Sequence, residues 1–201
     1  MSDIDGMKKI CIEKVSKTCS RELVESIVRH EDLKPRWYRC GDEPFLTCGV
    51  GHKHVHGDWV YAYYDERGFV CNGAPVEPRI GDVVGLDGII NYLIQDIEKA
   101  SRGAHEILNG SKFGNNAETV FNVITEMVFQ LGVNGVRKFR KMLIALKSRN
   151  FVEASIEMMA SEWHKQTCNR CEELSKKIYG LEKNPKMSWK SAIDEAKRRV
   201  G

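Results

Sequence analysis

The sequence predicts an α+β protein in which a small β-hairpin lobe is joined by a long helix to a mainly helical lobe. Three observations support this prediction. Short β-prone runs, separated by turns rich in Gly and Pro, are concentrated at about residues 31–85. A one-sided apolar stripe follows at about residues 87–103, and the remainder, about 104–201, has helical periodicity. We expect one two-lobed domain over residues 1–201, with an N-terminal helix belonging to the helical lobe.

The composition is that of an ordinary soluble globular protein. Of the 201 residues, 42% are hydrophobic and 29% are charged. The formal net charge of +3 is too small to indicate nucleic-acid binding. Apolar runs are much shorter than the roughly 20 residues of a membrane-spanning helix, and the N-terminus lacks the order of a signal peptide. We expect a monomer made in the cytoplasm, with neither nucleic acid nor membrane as a partner.

The seven cysteines favour reduced thiols over a disulfide framework. Their number is odd, and the chain is long enough to form a core without covalent staples. The sequence leaves open a disulfide bond between Cys40 and Cys48, or between Cys11 and Cys19, because the distance between the two cysteines decides whether the bond can form.

The first functional clue is Glu31, at the expected end of a helix over residues 15–30. Apolar residues recur in that segment near helical spacing, and Thr18 or Ser20 is available as the N-cap. Residues 37–38 and 45–48 then read as two short strands around a Gly- and Pro-containing turn. Cleavage of a bond between sugars needs one carboxylic acid and a second polar group that positions water. Glu31 and this hairpin could supply both.

Further elements follow from the same signals. Residues 59–71 predict a second hairpin, and residues 72–85 are expected to be irregular. The segment 118–131 is apolar almost all round, which is typical of a buried core helix that ends at Gly132. Further helices are predicted at about residues 136–146, 151–162, 168–179 and 188–200.

The order of these elements, and the motifs within them, resemble the phage-type lysozymes best known from the T-even phages. Glu31 corresponds to the family's active-site glutamate. Tyr38-Arg39-Cys40 stands where the family has Tyr-x-Asp. Thr47-Cys48-Gly49-Val50-Gly51-His52 is similar to the family's Thr-Ile-Gly-x-Gly-His. Glycines 49 and 51 are expected to let the backbone approach closely.

Three further blocks occur in the family's order. Residues 95–103 fit its linking helix, and residues 127–139 look like its central helix and the turn that follows. Residues 161–170 are similar to the family's Trp-x-x-Gln-Thr-x-Asn-Arg segment. Four ordered matches are more specific than any one short motif.

The resemblance implies a lysozyme-like fold and a muramidase, an enzyme that hydrolyses the bond between N-acetylmuramic acid and N-acetylglucosamine in bacterial peptidoglycan without a cofactor. Such a protein would act on the cell wall after release or export. Glu31 would be the general acid, which must hold its proton at working pH. Thr47 would help to hold the attacking water. A catalytically disabled descendant that binds wall glycan, or a partner, is the second class of function.

The second catalytic group has two candidates. The family's spacing from Glu31 leads to Cys40, but the interval to Thr47 is one residue longer than in the T-even phage enzymes, which leaves room for Asp42. A carboxylate is charged at neutral pH and a free thiol mostly is not, so Asp42 is narrowly favoured. Glu43 is a weaker third candidate. A carboxylate that activates water implies inversion at the sugar carbon, whereas direct attack by a Cys40 thiolate implies retention.

Other positions carry expected binding or supporting roles. Phe129, Gln130 and Phe139 match positions that border the substrate cleft, although helix-core packing would explain both phenylalanines nearly as well. His52 is expected to hold its turn by hydrogen bonding. Arg170 matches an arginine near the catalytic acid, in a supporting role.

A zinc site is the main rival signal, and it is weak. His52, His54 and His56 could combine with Cys168 and Cys171, since imidazole and thiolate are the usual zinc ligands. There is no second Cys-x-x-Cys pair, so no metal is expected. The basic stretch at residues 138–149 is a solvated helix face or a surface that attracts anionic wall polymers.

Overall fold

The computed structural model describes residues 4–54, 63–64 and 78–200. The chain divides into two compact units, Met1–Glu98 and Lys99–Gly201. Both helices and strands are present, so the expected α+β class is confirmed. Among the described helices, none is both long and apolar enough to cross a membrane.

The first unit combines two helices with a small antiparallel sheet. The elements are α1 (Ile4–Val15), α2 (Arg21–Glu31), β1 (Lys34–Arg39), β2 (Leu46–Gly49), β3 (His52–Lys53), β4 (Tyr63–Tyr64), β5 (Val83–Val84) and the start of α3 (Leu86–Leu108). The strands lie in the order β3-β2-β1-β5-β4. In the hairpin of β1 and β2, Tyr38 lies opposite Thr47 and Arg39 opposite Leu46, which confirms the predicted pair of strands.

The N-terminal region forms two helices where the sequence predicted one over residues 15–30. The chain leaves α1 after Val15 in a turn, and α2 begins after its N-cap residue, Ser20. Helix α2 is amphipathic and buries its apolar face, as predicted. It ends at Glu31 because the next residue, Asp32, has a φ of 61°, which no α-helix continues.

The segment before α3 differs in part from its prediction. Most of the hairpin predicted at residues 59–71 lies outside the described residues, but Tyr63–Tyr64 forms β4. The prediction that residues 72–85 are irregular is wrong at Val83–Val84. This short β-branched pair forms β5, which is paired with both β1 and β4.

The second unit is helical. Helix α4 is its core helix, and the four most buried apolar residues before Gly132 recur at helical spacing. They are Val120, Val123, Ile124 and Met127. After the end of α3 and a 3-10 turn at Gly114–Asn116, the unit contains α4 (Ala117–Arg137), α5 (Arg140–Lys147), α6 (Phe151–Met159), α7 (Glu162–Gln166), α8 (Cys168–Tyr179) and α9 (Trp189–Val200).

Gly132 interrupts α4 with φ 69° and ψ 165°, a conformation almost restricted to glycine. The predicted end of the core helix is therefore confirmed, but the chain resumes helical geometry to Arg137. The helix expected from residue 136 instead begins at Arg140, as α5. The helix predicted over residues 151–162 ends at Met159, because Ser161 is the extended N-cap residue of a separate short helix, α7.

Candidate active site

Glu31 is the last residue of α2, and its half-buried carboxyl group lies against the turn between β2 and β3. The closest approach is to Gly51, where an added Cβ would stand 2.9 Å from Glu31 Oε2. Gly51 has a φ of +72°, so this position needs glycine both for backbone conformation and for space. The structure thus brings Glu31 together with the Thr47–His52 motif.

The other motif glycine, Gly49, also permits a close contact. A Cβ atom there would lie 3.3 Å from Ile89 Cγ2, and the φ of +59° favours glycine. The expectation that both glycines allow close backbone approach is confirmed. These two contacts fix the turn between Glu31 on one side and α3 on the other.

Thr47 lies in the middle of β2 and is only 4% exposed. Its hydroxyl oxygen is buried and has no hydrogen-bond partner among the described residues. A buried hydroxyl without a partner costs free energy, so such a group is commonly satisfied by a bound water or ligand. The position is suited to holding one small polar molecule.

Cys40 and Asp42 both lie in the loop that follows β1, and both are exposed. A hydrogen bond from the Glu43 amide to the Cys40 carbonyl, 3.2 Å long, closes a turn that contains Asp42. Tyr38 lies opposite Thr47 and shares its face of the hairpin, but β1 ends at Arg39, so strand pairing does not fix the side chain of Cys40 to that face. Asp42 belongs to the turn and is not fixed to that face by strand pairing.

Tyr38 provides an electrostatic link within this group. Burial is the main cause that raises the pKa of Tyr38, and the acidic groups Cys40 and Glu31 add to the effect. Such coupling requires short distances. Tyr38 therefore lies close to both the general-acid candidate and Cys40.

Glu43, the third candidate, has other partners. Its carboxylate lies 3.0 Å from Lys53 Nζ, and its carbonyl accepts a 2.7 Å hydrogen bond from Arg39 Nη1. These contacts connect Glu43 to β1 and to β3. They suit a structural role better than a chemical one.

His52 is buried at the start of β3. Its Nδ1 lies 2.8 Å from Asp96 Oδ2, and its ring stacks on Tyr92 with centroids 4.0 Å apart. Trp37 meets the same ring edge-on. This packing ties the end of the motif to α3, in line with the structural role expected for His52.

In the second unit, two of the predicted binding residues gather around Trp163. The Trp163 indole N–H donates a 2.8 Å hydrogen bond to Gln130 Oε1, and Phe139 meets the indole edge-on at 6.0 Å. Phe139 and Trp163 line an open cavity of about 840 Å³. Phe129 instead packs against the helical core. Sequence reasoning did not select Trp163 as a site residue, although it begins the Trp-x-x-Gln-Thr segment.

Arg170 is buried and forms an ion pair with Glu126, from Nε to Oε1 at 3.0 Å. The arginine is 5% exposed and the glutamate 1%. Glu126 was not identified from the sequence, because an acidic residue in an apolar helix gives no sign of its partner. The pair positions the Arg170 guanidinium within the second unit.

Of the residues predicted as possible zinc ligands, His52 and His54 belong to the first unit and Cys168 and Cys171 to the second. His56 lies outside the described residues. Cys168 is exposed, whereas Cys171 is buried and its thiol points to the Met158 carbonyl at 3.4 Å. The six described cysteines are all free thiols.

Two curated relatives from Dictyostelium discoideum are similar to the chain. "Probable T4-type lysozyme 1" is 27% identical over 139 residues, which cover 64% of this chain and 76% of the relative. "Probable T4-type lysozyme 2" is 31% identical over 106 residues, covering 47% of this chain and 62% of the relative. No family model matches the chain. The resemblance inferred from the four ordered blocks is confirmed.

Proposed function

The chain is T4-lysozyme-like, and from this premise we propose that it is a muramidase that hydrolyses the bond between N-acetylmuramic acid and N-acetylglucosamine in bacterial peptidoglycan. The observation that best supports this activity is the contact of the Glu31 carboxyl with Gly51. It joins the candidate acid to the motif that the resemblance identifies. Glycosidic hydrolysis needs an acid held rigidly next to the group that manages water.

In the proposed reaction, Glu31 gives its proton to the glycosidic oxygen as the bond to the sugar carbon breaks. The half-buried position of Glu31 shields the carboxyl from bulk water while leaving it open to substrate. The buried Thr47 hydroxyl, which lacks a partner among described residues, would hold the attacking water. Positive charge develops on the sugar ring in the transition state, and a nearby anion would stabilise it.

Cys40 directly follows β1, in which Tyr38 lies opposite Thr47, and this proximity supports Cys40 as the group that acts at the reaction centre. Asp42, two residues further into the turn, is the alternative and offers a carboxyl group. A Cys40 thiolate would displace the leaving oxygen, which takes the Glu31 proton, and water would then break the carbon–sulfur bond, which gives retention. An Asp42 carboxylate that takes a proton from the attacking water would give inversion. The configuration of the first product therefore separates these two mechanisms.

The cavity around Phe139 and Trp163 supports a polymer as the substrate. Lys138, Arg140 and Lys141 border it, together with two glutamates, Glu157 and Glu162. Aromatic rings pack against sugar faces, and lysine and arginine attract the carboxylates of wall peptides. Peptidoglycan offers both kinds of surface.

The test is clearance of a peptidoglycan suspension. Glu31→Gln should abolish clearing, while Glu25→Gln, a half-buried glutamate on the same helix that pairs with Arg21, should leave it unchanged. Cys40→Ala and Asp42→Asn should reduce clearing unequally, with the larger loss at Cys40. Full activity of a folded Glu31→Gln protein would refute the assignment of the acid.

A second function is favoured by one observation, the presence of Cys40 where the resembling family has a carboxylate. A thiol that stays protonated would leave a protein that binds glycan without cleaving it. Sedimentation with insoluble peptidoglycan measures binding independently of clearing. Retention on the pellet with no release of reducing sugar would establish this second function.

A further inference from the structure

Three side chains of different types meet at the junction of α7 and α8. His164 lies in α7, Cys168 begins α8 and Glu172 follows one turn later. His164 Nε2 lies 3.1 Å from Glu172 Oε1, and Cys168 Sγ lies 3.3 Å from that nitrogen and 3.4 Å from that oxygen. The three donor atoms therefore form a nearly equilateral triangle.

The spacing of the three residues explains how they meet. They are separated by four residues each, which is the repeat that stacks side chains on one helix face. The break between the helices, at Thr167, does not disrupt this stacking, because the Thr167 amide still bonds the Trp163 carbonyl at 2.9 Å. The turn thus presents His164 to the first turn of α8.

Hydrogen bonding alone leaves this triangle poorly satisfied. A neutral imidazole Nε2 is either a donor or an acceptor, and a thiol has one proton to give. If His164 Nε2 carries a hydrogen, this N–H and the Cys168 S–H both point to Glu172. The contact between Cys168 Sγ and His164 Nε2 then has no hydrogen-bond acceptor. The triangle is also unlike a catalytic relay, in which the thiol and the carboxylate would contact opposite ring nitrogens.

The dimensions match those of a metal site. Zinc binds sulfur at about 2.3 Å and nitrogen or oxygen at about 2.0–2.2 Å in tetrahedral geometry, so its ligand atoms stand roughly 3.3–3.6 Å apart. The observed separations of 3.1, 3.3 and 3.4 Å are close to those values. We propose that His164, Cys168 and Glu172 form a binding site for a divalent transition metal of the zinc type, with water as the fourth ligand.

The surroundings agree with a metal that enters from solvent. The side chains of His164 and Glu172 are 20% and 41% exposed, and Cys168 is exposed, so an ion can reach all three. A metal binds the thiolate form of cysteine, so metal binding at this site would release the Cys168 proton. Lys197 is the nearby cation that acts on Cys168 and Glu172.

A metal here would fasten α7 to α8 beside Trp163, the residue that bonds Gln130. The ion would bind the folded chain better than the unfolded chain, since only folding brings the three ligands together. Zinc should therefore raise the melting temperature in proportion to its saturation of the site. This effect is independent of any enzymatic activity.

The experiment is a titration of the full chain with zinc under a non-thiol reductant, followed by competition with a chromogenic chelator. One equivalent should bind, and Cys168→Ser and Glu172→Gln should each weaken affinity by at least about tenfold, the scale seen for loss of even outer-shell partners. Cobalt substitution gives a second readout. The thiolate-to-cobalt absorption band should be present in the parent protein and absent from Cys168→Ser.

Matched controls are available in the same chain. Glu173→Gln changes the next carboxylate of α8, which pairs with Lys177, and Cys40→Ser removes an exposed thiol from the other unit. Both should retain one equivalent of zinc and the cobalt band. The proposal is overturned if the parent protein binds no zinc against the chelator, or if Cys168→Ser and Glu172→Gln bind it as tightly as the controls do.

Discussion

The backbone of Gly51 lies so close to the Glu31 carboxyl that a Cβ atom there would stand 2.9 Å from Oε2. Real Cβ atoms almost never approach another heavy atom so closely. Because Gly51 has no Cβ, the C-terminal end of α2 can lie in contact with the turn between β2 and β3. This contact determines where the candidate acid can point.

Gly51→Ala should therefore damage both activity and stability. Its left-handed φ of +72° costs about 1–2 kcal/mol for a residue with a Cβ, and the contact with Glu31 adds to that cost by displacing the carboxyl. Denaturant unfolding and peptidoglycan clearing measure the two effects. Gly110→Ala is the matched control, since Gly110 has a φ of +71° and nothing within 4 Å of the added carbon. Equal clearing by the two variants would contradict the steric argument.

The buried pair of Glu126 and Arg170 should be costly to break. Arg170→Met removes the ion-pair partner of the Glu126 carboxylate in the core and should lower the free energy of unfolding by about 3–5 kcal/mol. Adding Glu126→Leu should recover part of this lost stability, because it removes the buried carboxylate. The exposed pair of Arg137 and Glu106 is the control, and Arg137→Met should cost under about 1 kcal/mol. Similar losses in chemical denaturation would contradict the effect of burial.

Alkaline pH should destabilise the fold through its buried thiols. Burial raises the pKa of Cys11 to about 11 and of Cys171 to about 12, whereas the pKa of a cysteine thiol in the unfolded chain is about 8.5. Their contribution is fully present below pH 8.5 and is lost as pH rises through 11 and 12, because only the unfolded chain can ionise them.

The loss should approach about 2 kcal/mol per thiol at pH 10, at about 1.4 kcal/mol per pH unit. Unfolding free energies at pH 7 and pH 10 give the slope for the parent protein and for Cys171→Ala, which should show the shallower slope. Cys40→Ala removes an exposed thiol and should keep the parent slope. A parent slope in Cys171→Ala would contradict the linkage.

Removing the indole N–H of Trp163 should weaken the second unit. Trp163→Phe keeps an aromatic ring but leaves Gln130 Oε1 without its 2.8 Å donor, so we expect a loss of about 1–2 kcal/mol in unfolding free energy. It should also lower binding to insoluble peptidoglycan. Trp189→Phe, where the ring packs on Tyr179, is the control. Unchanged binding by a folded Trp163→Phe protein would argue against this cavity as a glycan surface.

The sequence predicted most of the helical elements because their apolar spacing is an intrinsic property of each segment. Helix α8 was predicted with its observed bounds, and the end of α2 was predicted at Glu31. Helix α1 was missed because its apolar stripe is weak and its burial depends on packing against α2. Strand β5 has only two residues, and pairing with β1 gives it its conformation.

Only those site residues that belong to short sequence motifs could be predicted. Glu31 and Thr47 were predicted because each matches a short stretch of the family's sequence. Glu31 lies against the turn between β2 and β3, and Thr47 belongs to β2. Glu126 and Trp163 were missed as partners of Arg170 and Gln130, because each pair joins residues more than thirty positions apart. Cys168 was predicted as a zinc ligand only in combination with other residues. His164 and Glu172 were not, although a spacing of four residues places them on one helix face with Cys168.

The backbone at Gly132, with φ 69° and ψ 165°, also limits how the gene can vary. Every missense change that one nucleotide can make in a glycine codon introduces a Cβ, and this conformation excludes it whatever the side chain's charge or polarity. The surrounding space is empty, so no compensating change in a neighbouring side chain relieves the penalty. In a saturation library selected for folded protein, codon 132 should retain glycine alone, although the residue is exposed to solvent.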